Sequence, residues 1–214
     1  MSSDPIRSRL EASKGALKAI YYVVVGIALT EAMDRVFLLN GAFQPSRLLE
    51  SAGIRSVLLL FAFMLTISRF VHGASIHLDD IETGRFKALF DFIGFFAQAS
   101  LFYVMALTIS DPPTFVALFV LMLVADAAWL SVLCQVRYLT FQGTARQWVI
   151  SDLLLMLALL ATLYRDPVVS LPAAGATAIA AGTAAVIDYW KNWEFYFPAG
   201  QRAGVTERAD SQQS

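Results

Sequence analysis

Arg69 and His72 stand one turn apart in a predominantly apolar stretch that continues through His77 to Asp79 and Asp80. A guanidinium in such surroundings demands carboxylate partners, and its planar fork bridges two of them at once. Four aspartates are available, each set in a different apolar run: Asp91, Asp126, Asp152 and Asp188. Asp126 lies nearest the middle of its run and is the first partner expected for Arg69. Such a set either locks helices together as buried ion pairs or lines a water-accessible vestibule that binds or conducts ions. The acids outnumber Arg69, which points to cations as the ions handled, and a protonatable His72 beside them would add a pH-sensitive element.

Other chemistries find less support. His72 and His77 are five residues apart, about 140° around a helix, unlike the i, i+4 pair of a metal-binding helix. With two histidines and one cysteine in the whole chain, neither a metal site nor a cofactor is expected. No glycine-rich phosphate loop is present, and a net charge of −1 gives no reason to expect a nucleic-acid partner. No serine, cysteine or paired-histidine constellation marks a nucleophile; catalysis would require Asp126 to form a dyad with Asp91 or Asp188. Elsewhere, Glu31 and Arg35 have the spacing of a helical ion pair, which leaves Asp34 uncompensated. Glu31 and Asp34 thus form either an interfacial salt-bridge site or an acidic outer mouth that concentrates cations.

The elements that position these side chains follow from composition. Of 214 residues, 57% are hydrophobic and 15% charged, whereas soluble domains are about a quarter charged. Apolar runs of about 18 to 25 residues, each able to cross roughly 30 Å of hydrocarbon, fall at 17–39, 54–78, 86–110, 113–136, 147–165 and 169–190. The expected fold is therefore all-α, a polytopic membrane protein of about six transmembrane helices. Residues 1–16 read as a polar N-terminal segment, 17–197 as the six-helix domain ending in an interfacial aromatic segment, and 198–214 as a disordered tail. The first run carries Glu31, Asp34 and Arg35 and no small-residue cleavage site, so it reads as a retained helix. Ser110-Asp111-Pro112-Pro113 is a turn signal tight enough to make the third and fourth spans an antiparallel hairpin. Cys134 falls inside the fourth run, as a small packing residue.

Six spans put both ends on one side. Eleven Lys and Arg residues flank the spans on that side and four on the other, which by the positive-inside rule places both termini in the cytoplasm of a plasma or inner membrane. Arg69, His72, Asp91, Asp126, Asp152 and Asp188 then share the inner half of the bilayer although they come from five helices. Trp190, Trp193, Phe195, Tyr196 and Phe197 suit the headgroup region at the end of the last span. Gly175, Ala178 and Gly182 form a strip of small residues on which another helix can approach closely, from this chain, a second copy or another membrane protein.

Three functions are compatible with these features. A small oligomeric ion channel or ion-permeation protein is favoured by the inner polar cluster. A structural or signalling subunit that binds another membrane protein is the principal alternative, and an intramembrane enzyme using aspartates is the third.

Overall fold

The computed structural model describes residues 5–39, 42–43, 45–80, 85–135 and 142–197. The segment read as a disordered tail, 198–214, lies outside them. Helix α1 runs from Pro5 to Phe37 and is followed by two short strands, β1 (Leu38–Leu39) and β2 (Ala42–Phe43), and a single turn, α2 (Pro45–Leu48). The strands pair antiparallel, Leu38 opposite Phe43. Five further helices complete the bundle: α3 (Ser51–Asp80), α4 (Arg85–Leu107), α5 (Pro112–Gln135), α6 (Gln142–Arg165) and α7 (Leu171–Lys191), the last followed by one turn, α8 (Trp193–Tyr196). The polar residues before position 17 are helical from Pro5 onward, because the stretch is rich in Ala, Leu, Glu, Lys and Arg and its one proline sits at the helix start.

Six of these helices are long and apolar enough to cross a membrane. Their outward faces carry large apolar side chains: Val23, Ile93, Leu154 and Ile179 are 57% to 72% exposed. In water such a surface would cost about 25 cal/mol for each Å² of apolar area, whereas in hydrocarbon it costs nothing. The chain is thus an integral, multi-pass membrane protein.

Helices α4 and α5 form the expected hairpin. The Asp111 N–H donates to the Thr108 carbonyl at 2.8 Å, and the Asp111 carbonyl accepts the first helical bond from the Phe115 N–H at 2.9 Å. Neighbour relations run α1–α4–α5–α6–α7–α3 and close back on α1, so the helices form a ring. Its interior is filled with side chains. Toward the α4–α5 turn, Phe63 meets Phe102 and Phe115 edge to face, at centroid distances of 6.1 and 5.9 Å. Arg69 lies almost two turns further along α3, and there the interior becomes polar.

The small residues of α7 are used as a packing strip, but with a different register from the expected one. Ala174, Thr177, Ala178 and Ala181 are buried, α7 packs closely on α3, and Gly182 faces Leu65. A methyl group at Gly175 would meet open space. Alanine is narrow enough for close helix approach and keeps its helix propensity, which glycine does not.

Gly94 has a specific reason to be glycine. A β-carbon there would lie 2.7 Å from Nε1 of Trp129 and 2.9 Å from its Cε2, and a rigid indole wedged among Phe95 and His77 has little freedom to retreat. Gly94→Ala is expected to destabilise the bundle by about 1–3 kcal/mol, read as a lower melting temperature in detergent.

The α6–α7 connection is held by Asp166. Its Oδ2 accepts the Ser170 backbone N–H at 2.9 Å, and the bonds from Ser170 hold its carboxyl below the usual carboxylate range. The turn also places Val169 at φ 51°, an unfavourable conformation for a β-branched residue, with its side chain fully buried. Because the folded-state value is depressed, the contribution of Asp166 is complete above about pH 4, the unfolded value, and is lost as pH falls through the folded one. Protection of the Ser170 amide, taken relative to its intrinsic exchange rate at each pH, is therefore expected to be high at neutral pH and to fall in acid, and in Asp166→Ala to be low throughout.

Candidate functional site

Each of the six spans contributes to one buried polar network. From α3, Arg69 Nη2 donates to Oδ1 of Asp152 on α6 at 2.6 Å, and its Nε donates to Oδ2 of Asp188 on α7 at 3.0 Å. The guanidinium is 5% exposed, and both carboxylate side chains are fully buried. Asp188 is further held by Asn192, whose Nδ2 donates to its Oδ1 at 2.7 Å, and by the Tyr196 hydroxyl, which donates to its Oδ2 at 2.8 Å. Burial, and then the Asp188 carboxylate, push the Tyr196 phenol far above its ordinary range, so it stays a donor at every physiological pH.

A second arm comes from the other side of the ring. The Tyr21 hydroxyl of α1 donates to Oε1 of Gln98 on α4 at 2.7 Å, and Gln98 Nε2 donates to Oδ1 of Asp126 on α5 at 2.8 Å. The Asp126 carboxyl group lies against that of Asp152, which joins the two arms. Asp152 Oδ2 has no hydrogen-bond donor among the described residues. Beside the junction is a cavity of about 40 Å³, lined by Arg69, Gly73, His77, Gln98, Asp126 and Trp129 among others. That volume exceeds the roughly 10–15 Å³ needed to hold a water.

The structure therefore brings Arg69, Asp126, Asp152 and Asp188 into one cluster, with a different pairing from the one the sequence suggests. Asp152 and Asp188, not Asp126, hold the guanidinium. Depth along a single helix ranked Asp126 first, but contact depends on which face each helix turns inward, and the ring places α6 and α7 together beside Arg69. Asp91 stands apart, buried with its Oδ1 at 3.2 Å from His77 Nε2. His72 is only partly buried and packs among aromatic rings, 4.5 Å from Tyr196 and 5.7 Å from Tyr189. At the opposite end of the bundle, Arg35 Nε donates to Glu31 at 2.6 Å while Asp34 is exposed.

Four members of the network, Tyr21, Gln98, Asn192 and Tyr196, are not among the residues expected from sequence. For the α7 side a signal exists: Asp188, Asn192 and Tyr196 recur every fourth residue and so continue one helical face past Lys191. Tyr196, read as an interfacial anchor, turns inward and is buried, whereas Trp190 and Trp193 do stay exposed. Gln98 is marked only by being an amide within an apolar run. Among the described residues, no group of three or more His, Cys, Asp or Glu could hold a metal ion.

The cluster holds three aspartates against one arginine. With all three ionised it would carry two uncompensated negative charges, and the penalty for burying even one unpaired ion is several kcal/mol. Unless a proton or another cation joins it, the cluster is short of positive charge. No protein-family model, curated protein or solved structure matches this chain.

Proposed function

We propose that the chain is an ion-permeation protein of a plasma or inner membrane, that it assembles as a small oligomer, and that the ions it handles are cations held at the Asp126–Asp152 pair. The observation that carries this reading is the shortage of positive charge among the described residues: Arg69 is engaged by Asp152 and Asp188, Asp126 accepts from the Gln98 amide, and among those residues Asp152 Oδ2 has no donor. Two carboxyl groups and a neighbouring amide suit a proton or a monovalent cation, since a divalent ion such as calcium takes six to eight oxygens. The excess of Lys and Arg on the terminal side, eleven against four, supports a cytoplasmic location for both termini and puts the cluster in the inner half of the bilayer. On the outer half, Phe63, Phe102 and Phe115 pack together and fill the interior, so a pathway through the bundle has to part these rings, as hydrophobic gates do.

The experiment is cation flux into proteoliposomes, with proton, Na⁺ and K⁺ gradients tested separately. Wild type is expected to conduct at least one of them, Asp126→Asn to fall to the level of protein-free liposomes, and Phe63→Ala to exceed wild type. Liposomes that stay silent with all three proteins would sink the reading.

One observation favours a second reading, a structural or signalling subunit. The ion pairs of Arg69 join α3 to α6 and α7, and such pairs fix helix register whether or not anything moves past them. A stoichiometric membrane partner recovered with a protein that conducts nothing would establish that alternative.

A further inference from the structure

We infer that the groove between α6 and α7 binds one acyl chain of an anionic phospholipid, drawn from the leaflet on the side of the two termini, with its phosphate at Lys191. The groove measures about 380 Å³ and is lined by Leu154 and Ala158 from α6 and by Ala180, Ala184 and Ile187 from α7. The alanines leave it wide. Exposed Ile150 and Leu154 on one wall and Ile187 on the other open it to surrounding hydrocarbon.

Its length matches one leaflet. Gln147 to Ala158 on α6, and Ala180 to Lys191 on α7, each cover eleven residue steps, about 16 Å at 1.5 Å per residue. Half of a hydrocarbon core of roughly 30 Å is about 15 Å. A helix about 10 Å across would rest on the rim of the groove and not lie within it. A single hydrocarbon chain is slender enough.

The two ends of the groove differ in chemistry. At the deep end stand Ala158 and Ala180, whereas the terminal-side end has the exposed Lys191 ammonium and the Gln147 amide. Asp188 also lines that end, but both of its oxygens are occupied by Arg69, Asn192 and Tyr196. Glu194, one turn beyond Lys191, is not part of the lining. An anionic phosphate therefore meets an exposed lysine where a headgroup sits, and a zwitterionic headgroup gains less from it.

Native mass spectrometry of the full chain, delipidated and titrated with dioleoyl phosphatidylglycerol or dioleoyl phosphatidylcholine, tests the proposal. Wild type is expected to retain the anionic lipid roughly five-fold better, about what one lysine contributes near an anionic surface. Lys191→Gln should abolish that preference while still binding the chain; Ala184→Leu should weaken both lipids by filling the groove. Ala158→Leu, from the opposite wall, does the same if Ala184→Leu fails to fold. Equal retention of the two lipids by wild type, retention unaffected by either leucine, or a dimer that the leucines dissolve would each overturn it.

Discussion

Arg69→Leu is expected to destabilise the protein by about 3–5 kcal/mol, the range for removing one partner from a buried ion pair. Asp152 would lose the one donor it has among the described residues, since its Oδ1 is held by Arg69 and its Oδ2 has no partner there. Asp188 would fare better, because Asn192 and Tyr196 still donate to it. The double variant Arg69→Leu/Asp152→Leu should therefore recover much of the lost stability, as replacing a buried ion pair by apolar groups of similar volume commonly does. Arg69→Lys should fall between wild type and Arg69→Leu, because a single ammonium lacks the fork that reaches two carboxylates on different helices. Melting temperatures of the purified proteins in one detergent give the ranking, and equal losses in the single and double leucine variants would place the destabilisation outside the ion pairs.

Asp126→Asn is expected to separate stability from function. Its retained Oδ1 still accepts from Gln98, and its new Nδ2 can donate to the neighbouring Asp152 carboxylate. The fold should be at least as stable as wild type, while the site loses the carboxyl group to which the proposed function assigns the cation. Asp126→Ala behaves differently. It strands the Gln98 amide, at about 1–3 kcal/mol for an unsatisfied buried donor, and enlarges the neighbouring cavity. Wild-type melting behaviour combined with absent flux in Asp126→Asn is the result that assigns the carboxyl group to permeation. Normal flux in that variant would remove Asp126 from the pathway.

The spans were legible in the sequence because a bilayer imposes a length and a composition on every crossing. The α4–α5 turn was legible too, since Asp111 and Pro112 carry its chemistry locally. The polar cluster was legible as to depth: crossing direction alone puts Arg69, Asp126, Asp152 and Asp188 at related levels. What a single sequence does not encode in any local pattern is the order of helices around the ring. That order decides that Asp152 and Asp188 grip Arg69, that Asp126 turns to Gln98, and that Asp91 pairs with His77 instead of joining the cluster. His72 illustrates the same limit. One turn from Arg69, it projects toward Tyr189 and Tyr196, because three residues along a helix leave about 60° of rotation between two side chains. The neutral members were hidden for another reason, since Tyr21 and Gln98 acquire meaning only through the acid they support.

The measurement that bears most directly on the cluster is its capture of a positive charge. Melting temperatures of wild type and Asp126→Asn would be followed across Na⁺ and K⁺ concentration at fixed pH and across pH at fixed salt, alongside infrared spectra in H₂O and D₂O to detect a protonated buried carboxyl. A cation that binds only the folded protein raises its stability with concentration, so wild type should respond to one of these ions or display the carboxyl band, and Asp126→Asn should do neither. A wild-type protein that ignores all three cations and lacks the band would contradict the charge deficit on which the proposed function rests.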